Sequence, residues 1–298
     1  MVTTKPTGQI QRQREAAIGL LFLSPWIIGF LIFKALPILA ALVISLTDFH
    51  LLTPEATKFI GFANYRVFLG DRDARDGLSS SLRYFLVTVP VELIVALLLA
   101  ALFTDKRLEN KGLSRTLIFM TSVIPATSIF FIYYGSLSYF NRLVMTPLSL
   151  TPVNGFELLL PFMALWSIGP GFLIMYGAMK SVPNEIYEAA RVDGAGTFAR
   201  FFAITLPLIS PAIFFTLVIN LTGAFGGAVL LDRGYILSFS LSPIEGYINT
   251  IIFNRYDLGY ASAVAWVTFF VMLILTIVLF RSSKYWVYFP EDDENENY

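Results

Sequence analysis

The polar stretch at residues 181–211 carries the most informative spacing of residues in this sequence. Pro183 suits the first position of a helix, and Glu188 lies in an early turn, where the helix dipole favours negative charge. Gly194 allows a left-handed residue that ends this helix, and Thr197 can cap a second one. We therefore predict an amphipathic hairpin of two short helices at the cytoplasmic membrane surface.

A second group of polar and aromatic residues interrupts the apolar segments of the chain and could line a pathway for a polar solute. Such residues offer hydrogen bonds to hydroxyl groups and an aromatic face to a C–H surface. Packing of small and polar residues between membrane helices explains the same residues equally well. The candidates for a substrate pathway are Trp166, Ser167, Asn220, Thr222, Ser262 and Trp266, with Gly169 and Pro170 beside the first two.

Two charged residues, Lys34 and Glu92, lie within apolar runs and could pair with each other. A buried ion pair or a snorkelling lysine is favoured over a proton path, because no chain of acidic residues accompanies them. His50 follows Asp48 just beyond the first apolar segment, and we interpret it as an interfacial histidine without a catalytic role.

The composition excludes several classes of function. The sequence has no cysteine and one histidine, which rules out disulfides, cysteine-based zinc sites and a Cys/His nucleophile pair. It has no GxxxxGK[ST] loop, so the chain does not itself hydrolyse ATP through such a motif. Basic and acidic residues number 21 each, which gives no basic field for nucleic acid. We predict no catalytic residue, no metal site and no cofactor in this chain.

The elements that position these residues are long and apolar. Hydrophobic residues make up 56% of the 298 residues and charged residues only 14%, compared with roughly one quarter charged in soluble chains. A bilayer core needs about 20 apolar residues in a helix, and spanning segments outside a closed barrel must be helical. The sequence predicts an all-α, polytopic membrane protein with six transmembrane helices at about 18–46, 82–103, 116–134, 156–179, 201–231 and 260–280.

The distribution of basic residues predicts the orientation. The tail at 1–17 and the connection after the second segment are rich in Lys and Arg, which places both in the cytoplasm. Six crossings return the acidic tail at 285–298 to the same side, so residues 18–284 form the transmembrane domain and both termini are cytoplasmic. The connection at 47–81, with its mixed charges, is predicted to form a small cap outside the membrane.

Three groups of residues follow one another at fixed spacing in and after the hairpin: Glu188-Ala189-Ala190, Asp193-Gly194-Ala195, and Ile204 with Leu206-Pro207. This pattern resembles the EAA loop of the membrane subunits of ATP-binding-cassette importers, in the form found in the sugar-importer branch such as the maltose transporter family. A looser likeness covers Ser24-Pro25 and residues 45–49, 61–65 and 259–263. The sequence departs from the family at 232–243, where a Gly-Gly-Pro loop is often found, so the outer gate and the binding-protein contacts do not follow from the resemblance.

The resemblance implies a mechanical role for the hairpin at 181–200. In that family it is a coupling helix that docks in a groove of an ATPase subunit and transmits ATPase closure to the membrane helices. Glu188 would meet a basic residue of the ATPase, Ala189 and Ala190 would allow close approach, and Gly194 would supply the turn. An ordinary amphipathic surface helix is the alternative, and it predicts no such fixed spacing.

The implied assembly contains a second, similar membrane subunit, two ATPases that bind ATP and Mg²⁺, an extracytoplasmic solute-binding protein and a carbohydrate, all at the bacterial cell membrane. The partner membrane subunit could line the sugar site instead of this chain. Import of glycerol phosphate or another polar nutrient is an alternative, although no membrane segment carries the basic cluster that a phosphate would favour. A membrane scaffold or sensor that passes no cargo is a further alternative.

Overall fold

The computed structural model describes residues 7–104, 111–123, 168–226 and 243–288. Within these ranges the chain is helical, and its extended pairings are two isolated bridges. The α-helices are α1 Thr7–Phe30, α2 Leu36–Ile44, α3 Ala63–Gly70, α4 Arg72–Arg83, α5 Val89–Thr104, α6 Lys111–Val123, α7 Gly169–Ser181, α8 Asn184–Val192, α9 Thr197–Arg200, α10 Leu206–Leu208, α11 Ser210–Phe225, α12 Pro243–Thr250 and α13 Leu258–Ser283. π-helical turns occur at Leu31–Ala35, Tyr84–Thr88, Phe201–Thr205 and Ile251–Arg255, and a 3-10 turn occurs at Pro54–Ala56.

Three continuous helical stretches among the described residues are long and apolar enough to cross a membrane: Ile18–Ile44, Arg72–Thr104 and Leu258–Ser283. They confirm the apolar spans predicted at 18–46, 82–103 and 260–280. Thr197–Leu208 and Ser210–Phe225 pass the same test as a pair, with a bend of 62° between them. The described ranges leave out residues 105–110, 124–167 and 227–242. Parts of the segments predicted at 116–134, 156–179 and 201–231 therefore lie outside the described residues.

Several predicted boundaries need correction. The second helical stretch begins at Arg72, so residues 72–81 are not part of a loop as predicted. Hydropathy marks where apolar residues start, whereas helical hydrogen bonds continue into charged residues such as Arg72 and Asp76, which form an exposed i,i+4 ion pair. The fifth segment is bent rather than continuous, and its helix ends at Phe225, before the predicted end at residue 231. Helix α12 was not predicted.

The described residues divide into two compact units. The first contains the chain up to Asp71 together with Thr250–Val267. In it, the Asn64 amide donates hydrogen bonds to the carbonyls of Ser45 and Thr47, at 2.9 and 2.8 Å. The amide of Gly259 donates to the carbonyl of Phe49 at 2.9 Å, so the start of α13 lies against the backbone that follows the first span.

The second unit contains Arg72–Asn249 and Thr268–Tyr298. Its core forms where α5 packs against α7: Ala96 and Ala100 leave room for the larger side chains of the facing helix, and Phe103 meets Phe172 edge-to-face at 5.2 Å. Gly171 continues this close approach, since a Cβ placed there would lie 3.8 Å from the Cβ of Ala96. The core also includes Val182 and Ile209, and Tyr187 of the predicted hairpin packs against it.

Candidate functional site

The predicted hairpin is present, and its first helix, Asn184–Val192, ends as the sequence indicates. Gly194 has a φ of +79°, which confirms the predicted left-handed residue. Its amide donates to the carbonyl of Arg191 at 3.1 Å, and the amide of Ala195 donates to the carbonyl of Ala190 at 2.9 Å. These two bonds form a Schellman motif, which satisfies carbonyls at the helix end that would otherwise have no partner.

The second helix of the hairpin, Thr197–Arg200, starts differently from the prediction. Gly196, in an extended conformation, is the N-cap residue, and no side chain caps the helix. The predicted cap by Thr197 is therefore wrong, because Thr197 is already the first residue of the helix. Its hydroxyl accepts a hydrogen bond from the guanidinium of Arg200, at 3.4 Å. Pro183 likewise lies just before the first helix instead of at its first position, a shift within the usual uncertainty of helix ends.

The outer face of the hairpin is exposed and carries most of the predicted coupling residues. Glu188, Ala189, Asp193 and Gly194 are exposed, and Ala190 and Ala195 are partly buried. The carboxylate of Glu188 lies 3.8 Å from the guanidinium of Arg191, in a solvent-exposed pair that contributes little stability. Glu188 therefore remains accessible to a basic group of another protein.

Large apolar side chains adjoin this face. Val192 is 88% exposed and Phe198 is 80% exposed, and each extends from one helix of the hairpin into solvent. Exposed apolar side chains of this size next to charged ones are typical of a protein contact surface. The outer face of the hairpin thus combines the small residues Ala189 and Gly194, an accessible carboxylate, and two apolar side chains that no described residue buries.

The inner face of the hairpin was not predicted to matter. The ring of Tyr187 packs against the core of the second unit, and its hydroxyl lies 2.9 Å from the hydroxyl of Thr205 in the following helix. Tyr187 and Ala190 are spaced i,i+3, which marks them as the inward face of an amphipathic helix. The partnership with Thr205 depends on tertiary structure and has no signal in the sequence.

The remaining coupling positions lie in the segment that enters the fifth span. Ile204 and Leu206 are partly buried, and Pro207 is exposed. Ile204 belongs to the π-helical turn Phe201–Thr205, and a π-helical turn inside a helix is frequent at functional sites. Pro207 precedes the bend at Ile209, where the two halves of the segment change direction.

One of the predicted pathway residues joins a polar cluster in the apolar part of the second unit. The amide of Asn220 donates to the carboxylate of Glu92 at 3.4 Å, and the hydroxyl of Tyr84 donates to the other carboxylate oxygen at 3.3 Å. Glu92 therefore has two neutral donors in its own unit. Its pairing with Lys34 stays a prediction, because Lys34 belongs to the other unit.

The other pathway candidates are described separately. Thr222 is exposed, and its hydroxyl donates to the carbonyl of Ile219 in its own helix. Ser262 and Trp266 lie one turn apart on α13, within the first unit. Trp166 and Ser167 lie outside the described residues. Among the residues that are described, no three His, Cys, Asp or Glu side chains are grouped as metal ligands.

His50 lies in the first unit, where its Nε2 atom is 3.0 Å from the carbonyl of Arg255. A carbonyl only accepts, so Nε2 carries the proton in this contact. The Nδ1 atom is buried and has no hydrogen-bond partner among the described residues. The contact is consistent with a structural role in holding the connection after the first span.

Comparison with known proteins places the chain in a family. Residues 60–287 match the family model described as "Binding-protein-dependent transport system inner membrane component". The "Probable ABC transporter permease protein YesP" of Bacillus subtilis (strain 168) is 32% identical over 302 residues, covering 95% of each chain. The "Trehalose/maltose transport system permease protein MalF" of Thermococcus litoralis is 29% identical and covers 92% of this chain and 96% of its own.

A solved structure has the same fold. It is the "Crystal structure of bacterial alginate ABC transporter in complex with alginate pentasaccharide-bound periplasmic protein", and one of its chains aligns with a TM-score of 0.64 and 20% identity. The alignment covers 92% of this chain and 96% of that one. With a family model that matches most of its length and a relative that is similar from end to end, the chain belongs to the inner-membrane components of binding-protein-dependent transport systems.

Proposed function

We propose that this chain is one of two membrane subunits of an ATP-driven importer and forms half of the translocation pathway for a carbohydrate. The hairpin at 181–200 is the contact through which partner ATPases, with ATP and Mg²⁺ bound, drive the membrane helices. The observation that supports this most directly is the exposed outer face of the hairpin, where Glu188, Val192 and Phe198 stand free of the protein's own core.

The carbohydrate substrate is supported by the relatives. Those with named cargo include a trehalose/maltose permease and an arabinooligosaccharide permease, and both align over nine tenths of this chain or more. Side chains that accept and donate hydrogen bonds to hydroxyls are present at Glu92, Asn220 and Tyr84 in the apolar part of the second unit. A solute-binding protein outside the membrane delivers the sugar, and a second, similar membrane subunit completes the pathway.

In this proposal six helices cross the membrane, both termini are cytoplasmic, and the hairpin lies on the cytoplasmic side. Three spans and one bent pair among the described residues support it. The first helix of the hairpin follows α7 directly, and its second helix opens the bent pair, which is the chain order expected of a short cytoplasmic connection between two spans.

The test is transport by the assembled complex. The tagged chain is purified with its membrane and ATPase partners, placed in lipid vesicles with the binding protein, and supplied with ATP and a labelled oligosaccharide. We expect ATP-dependent uptake, and we expect Glu188→Lys to abolish it while the chain still inserts in the membrane. Glu185→Lys, on the same helix and also exposed, is the matched charge control. Normal uptake by Glu188→Lys would contradict the coupling role, and uptake of glycerol phosphate instead of sugar would contradict the substrate.

A further inference from the structure

The hairpin and the helix that follows it are linked through the side chain of Tyr187. Its ring packs against the hydrophobic core that α5 and α7 share. Its hydroxyl lies 2.9 Å from the hydroxyl of Thr205, which is only 7% exposed. Because the Thr205 hydroxyl is buried, water competes little for it, and the hydrogen bond favours a fixed separation of the two helices.

The Thr205 hydroxyl has a second neighbour, the carbonyl of Arg200, at 3.4 Å. With its single hydrogen directed to that carbonyl, its oxygen can accept from the Tyr187 hydroxyl. Arg200 and Thr205 belong to the same continuous helical stretch, Thr197–Leu208, so the contact with Tyr187 ties the first helix of the hairpin to the stretch that contains the second.

The same residue lies one helical turn before the bend. Thr205 ends the π-helical turn, and its carbonyl accepts a hydrogen bond from the amide of Ile209 at 3.0 Å. Ile209 is 1% exposed and stands at the junction where the segment bends by 62°. The bend is where this helix can change its angle, because Pro207 and Pro211 each lack the amide that would complete the helical bonding.

We infer that Tyr187 is a positioning residue that transmits displacement of the hairpin to the bend at Ile209 through Thr205. This inference rests on the proposed function, in which the hairpin is moved by an ATPase. Without the hydroxyl pair, the hairpin would still dock, but its displacement would be taken up at the hairpin instead of rotating the membrane half of the segment.

The experiment removes the hydroxyls and keeps the side-chain volume. Tyr187→Phe and Thr205→Val each delete one partner, and Thr205→Ser retains the hydroxyl. The readout is the number of labelled sugar molecules imported per ATP hydrolysed by the reconstituted complex. Tyr285→Phe, at an 80% exposed tyrosine, and Thr116→Val, at an exposed threonine whose hydroxyl donates to a carbonyl of its own helix, are the matched controls.

We expect Tyr187→Phe and Thr205→Val each to lower the sugar-to-ATP ratio by about threefold to tenfold, the range for loss of one hydrogen bond between neutral groups. The sugar-to-ATP ratio of the double variant is expected to be no lower than that of either single variant, because both substitutions remove the same contact. Thr205→Ser and the two controls are expected to keep the wild-type ratio, and all variants to copurify with the ATPase.

A purely structural role predicts a different result. In that case less complex would assemble, and transport and ATP hydrolysis would fall together with the ratio unchanged. An unchanged ratio, failure of the single variants to assemble, or additive effects in the double variant would overturn the inference. Absence of ATP-dependent uptake by the wild-type complex would instead overturn the proposed function, so the two failures are distinguishable.

Discussion

The two glycines of the hairpin turn have different backbone conformations and therefore different tolerance for a side chain. Gly194 has a φ of +79°, whereas Gly196 has a φ of −68° and a ψ of 168°. No atom lies within 4 Å of a Cβ built at either position. Neither position is crowded, so the difference in backbone angle alone makes a side chain less tolerated at Gly194 than at Gly196.

Gly194→Ala is expected to destabilise the turn by about 1–2 kcal/mol, the cost of a left-handed conformation for a residue with a Cβ. The helix end would shift, and association with the ATPase and sugar uptake would fall. Gly196→Ala is the control, and it should keep both near wild-type levels. The amount of copurified ATPase per tagged chain measures the effect, and equal values for the two variants would contradict the assignment of the turn.

Gly259 has a structural requirement of another kind. A Cβ there would lie 2.3 Å from the carbonyl oxygen of Thr47 and 3.0 Å from the amide nitrogen of Phe49. Both are backbone atoms, so no side-chain rotation relieves the clash, and the start of α13 would have to move away from the connection after the first span.

Gly259→Ala should therefore lower the free energy of unfolding by about 1–3 kcal/mol, as overpacking does in well-packed regions. Gly29→Ala, in the first span, meets no atom within 4 Å and should not lower stability, because alanine is favoured over glycine inside a helix. The thermal unfolding midpoint of the purified chain in detergent reports the difference. A midpoint for Gly259→Ala equal to that of the control would contradict this close approach.

At the scale of elements, the fifth segment owes its bend to two prolines and one serine. Pro211 has no amide for the carbonyl of Pro207, and the Ser210 hydroxyl donates to that carbonyl instead, at 2.6 Å. The same hydroxyl accepts a hydrogen bond from the amide of Tyr288 at 2.8 Å. The Ser210 side chain thus gives the Pro207 carbonyl a hydrogen-bond donor and also binds the segment that follows α13.

Ser210→Ala leaves the Pro207 carbonyl and the Tyr288 amide without this partner, at an expected cost of about 1–3 kcal/mol. The segment after α13 should detach more often, so trypsin should cleave after Lys284 faster than in the wild type. Ser24→Ala is the control, because the Ser24 hydroxyl is exposed and donates only to a carbonyl of its own helix. Equal cleavage rates in the two variants would show that Ser210 does not hold the segment.

At the scale of the whole molecule, the orientation in the membrane is the property on which the proposed function depends. The chain contains no cysteine, so a single introduced cysteine can be labelled without interference from others. Asp76 has a side chain that is 68% exposed, near the start of the second helical stretch, and Val192 on the hairpin is 88% exposed.

We expect Asp76→Cys to react with a membrane-impermeant maleimide in intact cells, because the connection before the second span is outside in the proposed topology. Val192→Cys should react only after the membrane is permeabilised. Reaction of Val192→Cys in intact cells would place the hairpin outside and would contradict both the topology and the coupling role.

The sequence alone determined the membrane environment, the three confirmed apolar spans and the helix–turn–helix form of the hairpin with its left-handed Gly194. These features depend on hydropathy over about 20 residues or on local backbone preferences, and both are encoded in neighbouring residues. The spacing of Glu188, Gly194 and Pro207 also pointed to the family to which the chain belongs.

Only the tertiary structure decided the partners of individual side chains. Three sets of hydrogen bonds join residues that are separated along the chain: Tyr187 with Thr205, Glu92 with Asn220 and Tyr84, and Ser210 with the amide of Tyr288. The start of the second long helical stretch at Arg72 and the bend at Ile209 also depart from the hydropathy pattern. The physical reason is that apolar content sets which residues enter lipid, whereas helix ends, bends and hydrogen-bond partners depend on which backbone and side-chain groups packing brings within reach.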